Sequence, residues 1–191
     1  MRGRTMLPRI LALPAAAVAG LLLAGGCTPA GSAATAAQPM PGGGKPHVAA
    51  ASQVDAGEYL TVLGGCNDCH TEGWAEQNGQ VPDAQRLTGV GVGYRGPWGT
   101  TYPANLRLVV QNVSADRWVE ILTTADGGRG RPPMPWMNTA RMSDADLRAM
   151  YEYIHSLGPA GERAPRSLPP GQEPTTPYIW MVPQRAGAPP T

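Results

Sequence analysis

The chain has 191 residues, 15 basic against 14 acidic side chains, and only 15% charged residues. That length holds one ordinary domain with extensions rather than two large ones, and the near-neutral balance leaves no basic stripe to follow a nucleic-acid backbone, so DNA and RNA are not expected partners. With 25 Gly, 21 Pro and no Phe, the chain reads as loop-rich, with disordered ends around a small helical core.

The chain opens as an export signal. Arg2, Arg4 and Arg9 form a positive start, and an apolar run follows from Ile10 to Ala24. The run is too short and too small in its side chains to span a membrane comfortably. Leu21-Leu22-Leu23-Ala24-Gly25-Gly26-Cys27 resembles a bacterial lipobox, in which the cysteine receives lipid and becomes the first mature residue, with Ala24 standing where Leu is usual. Three cysteines in an exported chain cannot all sit in disulfides, which gives Cys27 a purpose as the lipidation site. The competing reading is an ordinary signal peptide cut nearby. Residues 1–26 are assigned to the signal peptide; without its three arginines the chain keeps 12 basic and 14 acidic residues, a net charge of −2.

Residues 27–51 are mostly Ala, Gly, Pro and Ser, which cannot bury enough surface to fold, so they are expected to form a flexible linker with His47 as a solvated residue. A folded domain is expected over 52–158. Its first helix covers 56–63 with Tyr59, Leu60 and Leu63 inward, and Gly64-Gly65 stops it. Residues 73–99 read as ordered loop. Ser114 is a candidate N-cap for a helix over 115–124 with Trp118, Ile121 and Leu122 on one face, ended by Asp126-Gly127-Gly128. The clearest helix runs from Asp144 to Leu157. Ser143 caps it, Asp146 makes the start capping-box-like, Leu147, Met150, Tyr151, Ile154 and Leu157 form its apolar stripe, and Gly158-Pro159 ends it. The Pro-rich tail over 159–191 suits disorder, although Tyr178-Ile179-Trp180-Met181 is apolar enough to dock on the domain.

Cys66-Asn67-Asp68-Cys69-His70 carries the chemistry. C-x-x-C-H is the attachment pattern for haem c. Two thiols three positions apart reach two vinyl groups on one porphyrin edge, and the adjacent imidazole ligates iron. A thioredoxin-like dithiol would want a βαβ setting in place of glycine-rich loops and helices. A zinc site needs four ligands, and His47 and His155 complete one poorly. A second axial ligand is available in Pro132-Pro133-Met134-Pro135-Trp136, where prolines fix the backbone around a methionine. Met137 and Met142 compete for that role, and His155, lying off the apolar stripe, is the better solvated residue. His/Met ligation fills both axial positions and raises the reduction potential. Trp98, Tyr102, Asn105 and Arg107 form a donor cluster suited to haem propionates, with ordinary loop packing as the alternative. Trp74, Trp118 and Trp136 read as pocket walls or core.

Over residues 54–157 these features resemble a class I, single-haem c-type cytochrome of the bacterial dehydrogenase-linked type. The resemblance implies a mostly α fold of few short helices and long loops around one covalent haem, attached through Cys66 and Cys69. It implies that the first and last helices cross, with Gly57 allowing close approach to an aromatic such as Tyr151. It further implies His70 and Met134 as the axial ligands, and Pro82 as the residue whose carbonyl accepts the proximal imidazole's N–H. The function implied is one-electron transport, not catalysis, between a periplasmic dehydrogenase and a downstream oxidase or reductase. The location implied is the periplasmic side of a bacterial membrane, lipid-anchored, or else soluble in the periplasm. A fixed subunit of a larger oxidoreductase, with the tail as a docking arm, and a haem-based ligand sensor are the alternatives. One haem motif excludes a di-haem peroxidase.

Overall fold

The computed structural model describes residues 45–128 and 130–182; the signal segment and Cys27 lie outside them. Six helices and a small sheet follow in the order α1 (Gln53–Leu63), α2 (Cys66–His70), β1 (Gly93–Gly96), β2 (Gly99–Thr101), α3 (Leu106–Val110), α4 (Ala115–Gly128), α5 (Trp136–Thr139), α6 (Asp144–Ser156) and β3 (Tyr178–Trp180). Among the described residues no helix is long and apolar enough to cross a membrane.

Helix starts follow local hydrogen-bonding chemistry. Ser52, Ser114 and Ser143 hydroxyls accept from the backbone N–H of Asp55, Arg117 and Asp146 at 3.1, 3.2 and 3.1 Å, each satisfying an amide that has no partner within its helix. Asp146, expected to complete a capping box, instead accepts from the N–H of Val48 at 2.8 Å. Helix α4 continues to Gly128, although the positive φ of Ala125 (53°) breaks its regular geometry close to the end expected from sequence.

The core forms where α1 crosses α6. A Cβ on Gly57 would lie 2.0 Å from the carbonyl oxygen of Ala149 and 2.7 Å from the Cβ of Tyr153, so only glycine lets the backbones come this close. The aromatic at the crossing is therefore Tyr153 and not Tyr151, whose hydroxyl donates to Val113 O at 3.1 Å. This contact also sets which face of α1 is inward: Ala56, Gly57, Leu60 and Thr61 are buried. Tyr59 and Leu63, expected inward, are 55% and 68% exposed because they lie away from the Gly57 face. Leu147, Met150 and Ile154 meet Leu87, Leu106, Val110, Trp118 and Leu122 in one cluster; burying each such aliphatic side chain contributes about 1.5–3 kcal/mol.

Two segments assigned to flexible ends pack on the domain. Lys45 donates to the carbonyls of Ala140 and Met142 at 2.9 and 2.8 Å, and Val48 packs against the core, so the last part of the 27–51 linker is pinned. Residues 159–182 also fold back. In the loop-rich stretch before Gly99, β1 and β2 form a hairpin around Pro97-Trp98, and β3 adds to β1 in parallel with Tyr94 opposite Ile179.

Candidate functional site

Helix α2 is a single turn that carries all three groups of the C-x-x-C-H segment. Thr71 locks it at its end by donating to Asn67 Oδ1 and accepting from Leu87 N–H, both at 2.8 Å. Cys66, Cys69 and His70 line a cavity of about 570 Å³. The cavity floor and sides are Leu106, Val109, Trp118, Ile121, Leu122 and Met150, and the loop through Pro132, Pro133 and Met134 completes it. Thiols, imidazole and thioether thus meet in one largely apolar space.

The imidazole is oriented from behind. His70 Nδ1 lies 2.7 Å from the carbonyl oxygen of Ala104; a carbonyl only accepts, so Nδ1 carries the proton and Nε2 keeps the lone pair that a metal needs. Burial pushes the ring's pKa below its usual value, with the Ala104 contact opposing, which favours the neutral, ligating form. The expected partner, Pro82, is not the acceptor: its carbonyl takes the N–H of Gln85 at 2.8 Å, closing a 3₁₀ turn over Asp83–Gln85. Burial, and next the charge of Asp68, pushes the Cys66 thiol up to about 12, so it is held protonated. Tyr94 points its hydroxyl at Cys69 Sγ from 3.8 Å, and burial followed by that contact raises its pKa to about 12.

The donor cluster divides. Tyr102 lines the cavity, its hydroxyl 2.7 Å from that of Thr176. Trp98, Asn105 and Arg107 do not line it. Trp98 has a buried indole N–H with no protein partner and folds over Gly96 in the hairpin turn. Asn105 accepts from Leu108 N–H at 3.0 Å as the N-cap of α3, and donates to the carbonyls of Ala160 and Glu162 at 2.7 and 3.0 Å. Arg107 donates to Gly158 O at 2.6 Å, Asp83 O at 2.9 Å and also to Leu157 O. These two residues clamp the end of α6 and the start of the tail onto α3, with Ala104 immediately before them.

Of the competing methionines, Met137 is 67% exposed and Met142 faces a separate surface hollow with Lys45 and His47. Trp118 and Trp136 line the cavity, whereas Trp74 stacks under the Arg86 guanidinium 5.6 Å away. His155 is exposed and stacks on Tyr151. Sequence reasoning missed Tyr94, Thr101, Ala104, Arg131, Thr139 and Ser167 as lining residues. The signals were present for three of them, Tyr94, Thr101 and Ala104. Gly-Tyr-Arg-Gly and Gly-Thr-Thr flanking Pro97-Trp98 read as a tight hairpin, and Asn105 before Leu-Arg-Leu-Val-Val reads as a helix cap that sets Ala104 at its entrance.

Residues 54–158 match the family model for cytochrome c. The chain belongs to the cytochrome c family. This cytochrome is 31% identical over 114 residues to the cytochrome c subunit of the quinone-dependent alcohol dehydrogenase of Gluconobacter oxydans, covering 56% of this chain and 22% of that one. It is 29% identical over 108 residues to the fructose dehydrogenase cytochrome subunit of Gluconobacter japonicus, covering 53% of this chain and 20% of that one. The alignments thus take in about a fifth of the length of these relatives. No solved structure matches the chain. Family membership brings covalently bound haem c as the cofactor, and one haem suits a domain of this size. The donor set fits the group: paired thiols, an imidazole with a free lone pair and a thioether border one apolar cavity. Cys66 and Cys69 would hold the porphyrin through thioethers.

Proposed function

We propose that this cytochrome carries single electrons from a periplasmic dehydrogenase to a downstream respiratory acceptor, with His70 and Met134 as axial ligands. The observation that carries this reading is that His70 and Met134, 64 positions apart, line the same cavity as both thiols. When bound, haem supplies a reversible one-electron couple, and filling both axial positions favours electron transfer over binding of external ligands. The residues around it hold the imidazole in one tautomer, exclude water with Trp118, Ile121 and Leu122, and place the Met134 loop across the opening. A dehydrogenase donor is supported by the names of the two Gluconobacter relatives. A docking arm would have to use the outer face of the tail, since Leu168, Glu173 and Thr176 are bonded to the hairpin of their own domain.

Met134→Ala tests the assignment. The variant is expected to keep covalent haem, lose the sulfur-to-iron charge-transfer band of the oxidised protein, bind CO rapidly when reduced, and show a lowered potential. An unchanged spectrum and potential would remove Met134 from the site. If the parent protein itself binds CO rapidly, the sensor reading gains. We place the protein on the periplasmic side of the membrane, anchored through lipidated Cys27, on the strength of the lipobox-like sequence. Cys27→Ser is expected to move haem-stained protein from the membrane to the soluble fraction, and firm membrane association of that variant would count against the anchor.

A further inference from the structure

The family match ends at residue 158, but the chain runs on as a strap across the β1–β2 hairpin. Leu168 and Thr100 exchange two backbone hydrogen bonds, of 2.8 and 3.0 Å. Glu173 pairs with Arg95. The Arg95 guanidinium also lies over the rings of Tyr178 and Trp180 at 5.2 and 5.4 Å, and Met181 N–H donates to Arg95 O at 2.7 Å as β3 ends. Thr176 and Tyr102 share a hydroxyl hydrogen bond of 2.7 Å. The approach requires glycine at one place: a Cβ on Gly99, whose φ is +98°, would lie 2.1 Å from Leu168 O.

The hairpin under this strap faces the cavity. Tyr94 and Thr101 are opposite each other in the ladder, so their side chains share a face, and both line the cavity. Thr101 does more than line it. Its hydroxyl donates to Pro132 O at 2.7 Å, two residues before Met134. Ser167, from the strap itself, also reaches the lining. A continuous set of contacts therefore runs from Thr176 through Tyr102 and the hairpin to Thr101 and on to the Met134 loop.

We propose that the C-terminal strap is a working part of the haem site: by holding the hairpin against the cavity it lets Thr101 brace the Met134 loop, and so sets how readily that loop opens to an external ligand. Thr176 and Thr101 are then positioning residues. The inference rests on Met134 as the sixth ligand, and its test separates the two.

The readout is imidazole binding to the oxidised, haem-loaded full-length protein, with the charge-transfer band as a check on Met134. Thr101→Val is expected to raise imidazole affinity about fivefold, the factor that one lost hydrogen bond supports. Thr176→Val is expected to raise it by a few-fold, and Thr176→Ser, which restores the hydroxyl, to return it to the parent value. Because both threonines act on one brace, Thr101→Val combined with Thr176→Val should give less than the product of the single effects. The proposal is overturned if Thr101→Val raises the affinity while Thr176→Val leaves it unchanged, or if the two effects simply multiply. A parent protein that lacks the charge-transfer band would instead overturn the Met134 assignment.

Discussion

His70 and Met134 line one cavity, but the segments that carry them are fastened in opposite ways. His70 sits on a helix turn whose carbonyl accepts from Gly89 N–H at 2.8 Å and whose next residue, Thr71, is buried in two further hydrogen bonds. Ala104, which orients the ring, is followed by the buried side chains of Asn105 and Arg107. The Met134 loop has exposed residues at Arg131, Pro132 and Pro135. Its contacts are mostly close in sequence: Gly130 N–H to Ala125 O at 2.6 Å, Trp136 N–H to Met134 O at 2.9 Å, and the Trp136 indole to Arg131 O at 3.1 Å. One side is tied into the global fold, and the other is held mainly by local bonds, so the expectation is that it opens while the fold stays intact. Local opening of this kind draws on the least stable parts of a structure.

Arg107→Ala should break the comparison most strongly. It removes a buried side chain and strips donors from the part-buried bonds to Asp83 O, Gly158 O and Leu157 O in one step, each worth about 1 kcal/mol. A loss of about 3 kcal/mol in urea unfolding is expected, with the spectrum of the folded holoprotein unchanged. A loss under about 1 kcal/mol would mean that the region behind His70 is not the firm side.

How legible all this was in sequence depends on the distance over which each feature is encoded. The C-x-x-C-H segment, the serine caps and the stripe of α6 are local patterns, and each required only a few neighbouring residues. The inward face of α1 was misread because Tyr59 and Leu63 are the larger apolar residues, whereas burial was decided by a glycine meeting Ala149 and Tyr153 about 90 positions away. The partner of His70 was carried over from the family resemblance, which placed it on Pro82. Pro82 is nearer in sequence, but Ala104 reaches the ring because Leu106 N–H bonds Leu87 O at 2.9 Å and draws α3 under the haem segment. Asn105 and Arg107 were read as donors to haem propionates, but Asn105 donates to the tail carbonyls of Ala160 and Glu162, and Arg107 to the carbonyls of Asp83, Leu157 and Gly158. The strap itself left only an apolar tetrad in a Pro-rich stretch, because pairing with β1 is a long-range event that composition does not record.

Trp136→Phe sharpens the same comparison from the other side and has the smaller effect. Phenylalanine keeps an aromatic wall on the cavity but deletes the indole N–H that donates to Arg131 O. That bond lies near solvent, where water replaces a lost donor readily, so a change of about 0.5–1 kcal/mol is expected. If the Met134 loop opens on its own, the bond is lost in the loop-open form as well as in the unfolded chain, so the same small loss enters global urea unfolding and the loop's own opening equilibrium, where it is the larger share of a smaller free energy. The measurement is amide hydrogen exchange of the loop around Met134 beside exchange at Leu106. Exchange near Met134 should accelerate several-fold and stay insensitive to low concentrations of urea, whereas exchange at Leu106 should be slower and rise with urea as global unfolding does. The same urea dependence at both places would show that the two sides of the cavity open together, and the distinction between a fixed histidine side and a gated methionine side would fall.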